Sequence, residues 1–174
     1  MNLHVVLFEP EIPPNTGNIA RTCAVVGATL HLVKPLGFSL NDKYIKRAGL
    51  DYWPLVKLVE YENIADFMTK HKNDNLFFLT TKAHHLYSDS IYNKKEINQD
   101  IYLIFGKESA GIPEEILKAN PSKCIRIPMR SELRSLNLSN SVAIAVYEVL
   151  RQFDFPDLEL NGQLHRLKWE NENE

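Results

Sequence analysis

Two short stretches limit the possible folds of this chain more than any other feature. Residues 76–81 (Leu-Phe-Phe-Leu-Thr-Thr) and 101–105 (Ile-Tyr-Leu-Ile-Phe) are apolar almost without interruption. A strand with one wet face alternates polar and apolar side chains; a strand without that alternation is covered on both faces, as in a parallel sheet between layers of helices. Residues 3–8, closed by Glu9-Pro10, have the same character, and residues 29–33, 55–59 and 124–127 read as further short strands. Helical spacing lies between them. Over residues 18–28, Ile19, Cys23 and Val26 share a face, with Asn15, Thr16 or Asn18 available as cap. A second helix is predicted over 64–70, and a third opens at Pro113 and turns Ile116 and Leu117 inward. The strongest, over 139–153, places Val142, Val146, Val149 and Leu150 on one side. This alternation predicts an α/β fold: a mainly parallel sheet flanked by helices.

At 174 residues the chain fits one domain, expected over 1–153 and followed by an acidic tail over 154–174. In that tail Leu164, Leu167 and Trp169 are expected to dock as a short amphipathic piece. No apolar run approaches the ~18 residues of a membrane span. Cys23 and Cys124 have no metal-site spacing and make a poor disulfide framework, so a soluble, cytoplasmic protein with reduced thiols is expected, without a membrane or metal partner. The net charge of −2 argues at first against a nucleic-acid partner. It conceals a division: from Phe153 onward six acids face two bases, a balance of −4, which leaves +2 for residues 1–152. Lys118, Lys123, Arg126, Arg130 and Arg134 face only Glu132 over residues 118–135, a basic stripe.

Ligands of open parallel sheets bind where strand C-termini meet loops and helix N-termini. Three loops qualify: 15–21, 106–113 and 129–140. The second, Gly106-Lys-Glu-Ser-Ala-Gly111, has the glycine separation of a phosphate loop, but Ile112-Pro113 stands where Lys and Ser or Thr are needed. No Gly-x-Gly-x-x-Gly follows a strand, Ser109 is in no nucleophile elbow, and His84-His85 lacks the spacing of two ligands on one helical face. Nucleoside-triphosphate, dinucleotide, hydrolase and metal readings therefore have no support.

Taken together and in order, the three loops carry more. Asn15-Thr-Gly-Asn-Ile-Ala-Arg21, Ile104-Phe-Gly-Lys-Glu-Ser-Ala-Gly-Ile-Pro113, and Ile127-Pro-Met followed by Ser135-Leu-Asn-Leu-Ser-Asn140 resemble the three motifs of the SPOUT class of RNA methyltransferases, in the branch that methylates ribose 2′-hydroxyls. The resemblance spans about residues 2–153, and the opening block from Leu7 to Asn18 is similar to small members that modify the wobble nucleotide of tRNA. It implies a C-terminal deep trefoil knot, S-adenosyl-L-methionine as cofactor, and a homodimer whose sites are completed at the interface. By motif, Leu79, Gly106, Ile127 and Ser135 would bind the cofactor, while Arg21 would lie beside the target ribose and Asn137 near the reacting centre. An arginine, with a pKa above ~12, is a reluctant base, so Arg21 is expected to stabilise developing alkoxide charge. Without an added RNA-binding domain, the anticodon stem-loop of tRNA would be held by Arg126, Arg130, Arg134, Lys43, Lys46 and Arg47 across the dimer. Lys107 departs from the proline frequent after the second motif's glycine. Two alternatives stay open: the same chemistry at another tRNA or rRNA position, and a non-catalytic RNA- or nucleotide-binding module of this fold.

Overall fold

The computed structural model describes residues 1–40, 52–89 and 100–169. Seven strands form one sheet: β1 (Asn2–Phe8), β2 (Thr29–Val33), β3 (Lys57–Tyr61), β4 (Asn75–Leu79), β5 (His85–Leu86), β6 (Asp100–Phe105) and β7 (Cys124–Arg126). Their order across the sheet is β3-β2-β1-β6-β4-β7-β5, and every pairing is parallel. The helices are α1 (Pro13–Val26), α2 (Ile64–Lys70), α3 (Glu114–Ala119) and α4 (Leu138–Gln152).

The uninterrupted apolar strands are covered on both sides, as expected. In β1, Leu3, Val5 and Leu7 join one cluster while Val6 and Phe8 join the other; in β6, Ile101, Leu103 and Phe105 separate likewise from Tyr102 and Ile104. The first cluster is closed by α1 and α4 through Ile19, Ala20 and Cys23 against Val142, Ala145, Val146 and Val149. The second is closed by Phe67 of α2 and Leu117 of α3. Cys23 and Cys124 are both buried and free, in different clusters. Burial pushes the Cys23 thiol up to about 12, which makes it an inert apolar side chain.

Several boundaries differ from the sequence reading, each for a local reason. Helix α1 starts at Pro13 rather than residue 18, because prolines in a first turn have preset φ and lack only N–H groups that would go unbonded there. Its N-cap is Ile12, with no side-chain cap, and Asn15 and Thr16 are buried within the helix instead. Pro113 is the N-cap of α3 rather than its first residue. The third strand begins two residues late because Trp53–Leu55 form a 3-10 turn, and the fourth and seventh end earlier than expected. The two-residue, exposed β5 carries no pattern. The tail does not dock through the expected residues: Leu167 and Trp169 are 76% and 54% exposed. Among the described residues no helix forms there to bring Leu164, Leu167 and Trp169 onto one side, and Phe155 and Leu158 pack against the core in their place.

On the face of the sheet covered by α2 lies a polar chain that the sequence did not announce. His71 Nδ1 sits 2.7 Å from the Asp74 carboxylate, which can only accept. With the rings neutral, His71 Nε2 then accepts from Tyr61 Oη (2.8 Å), Tyr61 from His31 Nδ1 (3.0 Å), and His31 Nε2 from His4 Nδ1 (2.8 Å). The sequence of donors ends at His4 Nε2, buried without a hydrogen-bond partner, 3.9 Å from Asp100 Oδ1. Burial, followed by the neighbouring His4 and His71, pushes His31 down to about 3. Burial also lowers His4.

This chain makes the fold acid-sensitive. Unfolded, His31 takes up its proton near pH 6.5; folded, it stays neutral to about pH 3, so its contribution is complete above 6.5 and is lost as pH falls between these limits. Well below 6.5, one such histidine is worth about 1.4 kcal/mol per pH unit. Urea midpoints measured from pH 8 to pH 5 should fall, and His31→Phe, though less stable at pH 8, should show the shallower decline. An unchanged slope in the variant would remove His31 from the account.

Candidate functional site

The register of the central strands brings three loops to one place. Leu79 lies opposite Phe105 on β6 and Ile125 on β7, so Leu79, Gly106 and Ile127 gather at the C-terminal edge of the sheet. The loop after β6 folds back on itself: Gly111 donates to Lys107 O at 2.8 Å, with Gly111 at φ +72°, a left-handed turn that glycine adopts without strain. A Cβ on Gly106 would lie 2.0 Å from the Gly111 carbonyl carbon and 2.2 Å from Ile112 N. Glycine at 106 is therefore required by the loop's own backbone before any ligand arrives.

Carboxylates tie this loop to the one after β1. Glu108 accepts from Glu11 N (2.8 Å), Ile12 N (3.3 Å) and Asn15 Nδ2 (2.9 Å). Its charge sits at the N-terminal end of α1, where the helix dipole favours an anion. In return Glu11 accepts from Ser109 N and Oγ, both at 2.8 Å, and these bonds hold the Glu11 carboxyl below its ordinary range. Lys107 pairs with Glu9 at 2.9 Å. Glu9 itself is left-handed at φ +48°, a conformation disfavoured for a residue with a Cβ.

The third loop joins through Asn137, the N-cap of α4. Its Oδ1 accepts from Ser139 N (2.9 Å), Ser139 Oγ (2.7 Å) and Asn140 N (3.3 Å), while its Nδ2 donates to Asn15 Oδ1 at 3.0 Å. Asn15 is buried and uses both ends of its carboxamide: Nδ2 to Glu108, Oδ1 from Asn137. Glu108, Asn15 and Asn137 thus form one relay across all three loops.

These loops enclose a cavity of about 500 Å³, within the range of small-molecule sites. Leu79, Gly106, Ile127, Ser135 and Asn137, all singled out from the sequence, line it. Its ionisable groups are already engaged: Lys82 with Glu114, Lys107 with Glu9, and Glu108 with three donors. Apolar walls beside backbone N–H and C=O groups suit a flat heteroaromatic ligand, and the single unengaged N–H of the Asn137 amide offers a polar contact. Arg21 is not in this lining; it lies on the exposed side of α1, its guanidinium carbon 4.7 Å from the centroid of the Tyr52 ring. Arg126 ends β7, with Arg130 and Arg134 exposed on the following loop, and among the described residues none of the three has a carboxylate partner. Lys43, Lys46 and Arg47 lie outside the described residues. Sequence reasoning missed Glu108 and treated Asn15 only as a potential cap; the one available signal was that both lie within the ordered motifs.

The SpoU rRNA Methylase family model matches residues 2–147. The tRNA (cytidine(34)-2′-O)-methyltransferase of Yersinia pestis is 47% identical over 160 residues, covering 88% of this chain and 96% of its own. That of Escherichia coli is 44% identical over 155 residues, with 88% and 96% covered. A solved structure described as giving insights into the 2-OH methylation of C/U34 on tRNA superposes with a TM-score of 0.80 at 42% identity, over 87% of this chain and 96% of that one.

The relay can be tested without any ligand. Glu108→Gln turns an amide NH₂ or a weaker neutral acceptor toward three donors that now face a carboxylate, and should cost about 1–3 kcal/mol of stability in urea unfolding. Gly106→Ala, which must displace backbone, should cost more. Loss of less than about 0.5 kcal/mol in both would mean the loops hold together by other means.

Proposed function

The chain belongs to the SpoU rRNA methylase family, and from that membership we propose that it transfers a methyl group from S-adenosyl-L-methionine to the ribose 2′-hydroxyl of nucleotide 34, the wobble cytidine or uridine of tRNA. The observation that carries this reading is the convergence of the three ordered motifs on one cavity, whose walls bear the residues expected for an adenosine-containing ligand. When bound, the cofactor supplies an electrophilic methyl on a sulfonium. Leu79, Gly106, Ile127 and Ser135, which line the cavity, would hold the cofactor, the two aliphatic side chains offering apolar walls and Gly106 its backbone.

The remaining work falls to the chain's own groups. A ribose hydroxyl attacks only as its proton leaves, and the ionisable side chains of the cavity are committed to partners, so the proton passes to water or to an RNA phosphate. Arg21 stabilises the developing alkoxide, and its position outside its own chain's cavity suits a site completed by a second copy. Val25 on α1, with Ile144 and Tyr147 on α4, are exposed side chains that such a homodimer would bury. Arg126, Arg130 and Arg134 hold the anticodon stem-loop, joined by Lys43, Lys46 and Arg47. The C-terminal segment, with α4 against α1 beneath a sheet into which β7 enters between β4 and β5, forms the deep trefoil knot of the wider class. The enzyme is assigned to the cytoplasm, where its substrate is.

Incubating the protein with tRNA lacking this mark and with methyl-labelled cofactor should give one labelled 2′-O-methyl nucleotide, mapped by mass spectrometry to position 34. Label elsewhere, or in rRNA alone, would redirect the assignment. Arg21→Lys should lose kcat by a similar factor from pH 7 to pH 10; recovery at high pH would make Arg21 the base instead. Alanine at Arg126, Arg130 and Arg134 should weaken tRNA binding and flatten its dependence on salt, with cofactor binding unchanged.

A further inference from the structure

Arg21 is held in an unusual way for an exposed helical arginine. Its helical neighbours at three and four residues' distance are Gly17, Asn18, Ala24 and Val25, none of which carries a negative charge. Among the described residues no carboxylate reaches it; the contact made by its guanidinium is the face of Tyr52 at 4.7 Å. Tyr52, in turn, is fixed at its backbone. It caps the 3-10 turn Trp53–Leu55, its carbonyl accepting from Leu55 N at 2.8 Å, and Trp53 and Val56 pack against the core cluster beneath α1.

From this juxtaposition we propose that Tyr52 is the positioning residue for Arg21: its aromatic face holds the guanidinium in place for the reacting ribose without neutralising it. The inference rests on the reading of Arg21 as the group that stabilises the alkoxide. A carboxylate clamp would hold the side chain as firmly, but it would supply acceptor oxygens that occupy the same N–H donors the alkoxide needs, and cancel the charge the transition state uses. A π face attracts the cation through its quadrupole and competes for neither. The anchoring is also geometrically apt. Arg21 lies six residues beyond Asn15 on α1, about 9 Å along the axis and on a different side of the helix, so nothing in the three-loop relay can hold it. The 3-10 turn before β3 supplies from a separate element the restraint that α1 lacks.

The test is a set of variants assayed with tRNA and labelled cofactor under saturating and single-turnover conditions. Tyr52→Leu should lower kcat about tenfold, the scale expected for a loosened catalytic group, with KM for tRNA and for cofactor within twofold of the parent. Tyr52→Phe, which keeps the ring, should retain parental kcat. Tyr52→Met, unbranched and flexible, provides the ring-free change should Tyr52→Leu fail to fold, as judged by thermal melting. Arg21→Ala should lose more than about a hundredfold, and adding Tyr52→Leu to it should cost nothing further. If Arg21→Ala is inactive but both ring-free variants keep parental kcat, the role given to Tyr52 is wrong. It is equally wrong if Tyr52→Phe is as impaired as Tyr52→Leu, or if the double variant is tenfold worse than Arg21→Ala. If Arg21→Ala itself retains activity, the fault lies in the reading of Arg21.

Discussion

The Glu108 carboxylate holds the site together. Helix α1 begins with two prolines, which bring no N–H groups of their own, so the donors left near its start are those of Glu11 and Ile12, and Glu108 accepts from both. That single anion joins the loop after β6 to the start of α1, and through Asn15 extends the connection to the N-cap of α4. Remove it and the two helices closing one face of the sheet lose their common reference at the sheet's C-terminal edge. The reciprocal bonds from Ser109 to Glu11 make the junction a two-carboxylate lock, in which each charge is met by donors from the other loop.

The same arrangement explains what the cavity can and cannot do. Its ionisable groups are already engaged, so it is well suited to holding a ligand by shape and backbone contact and poorly suited to supplying a base. On the reading proposed above, the charge comes from elsewhere, from Arg21, which lies outside the cavity with its guanidinium over the Tyr52 ring. That proposal divides binding and charge stabilisation between separate elements: the three-loop relay for the first, the outer side of α1 and the turn before β3 for the second.

Much of this was legible in the residues, for identifiable reasons. The apolar continuity of β4 and β6 follows directly from burial on two faces, and that requirement reads through to parallel topology. Gly106, Ile127, Ser135 and Asn137 were singled out because they belong to the ordered motifs, and Leu79 because it ends an apolar strand; the structure gathers all five around one cavity. The rest depended on tertiary contacts that no local pattern encodes. Pro13-Pro14 read as loop because their compatibility with a first turn is only evident once the turn exists. Glu108 and Asn15 meet across 93 residues, and the histidine chain links positions from four separate segments. Gly106 was expected for the sake of a ligand's approach, whereas the backbone of Gly111 and Ile112 already demands it.

Net charge is the instructive case. A chain at −2 looks unsuited to RNA, yet charge counting treats every carboxylate as if it faced the solvent equally. Here Glu9, Glu11 and Glu108 are engaged as acceptors for Lys107, Ser109 and the start of α1, and Glu114 is matched to Lys82. Arg126, Arg130 and Arg134, by contrast, have no carboxylate partner among the described residues, and all three follow the edge where the cavity opens. A phosphate approaching that edge meets cations without carboxylate partners, while the excess of acids in the sum lies in the tail from Phe153 onward, at −4. The field that an RNA meets is set by which charges remain free, and at this face three arginines outnumber the one exposed acid of their loop, Glu132.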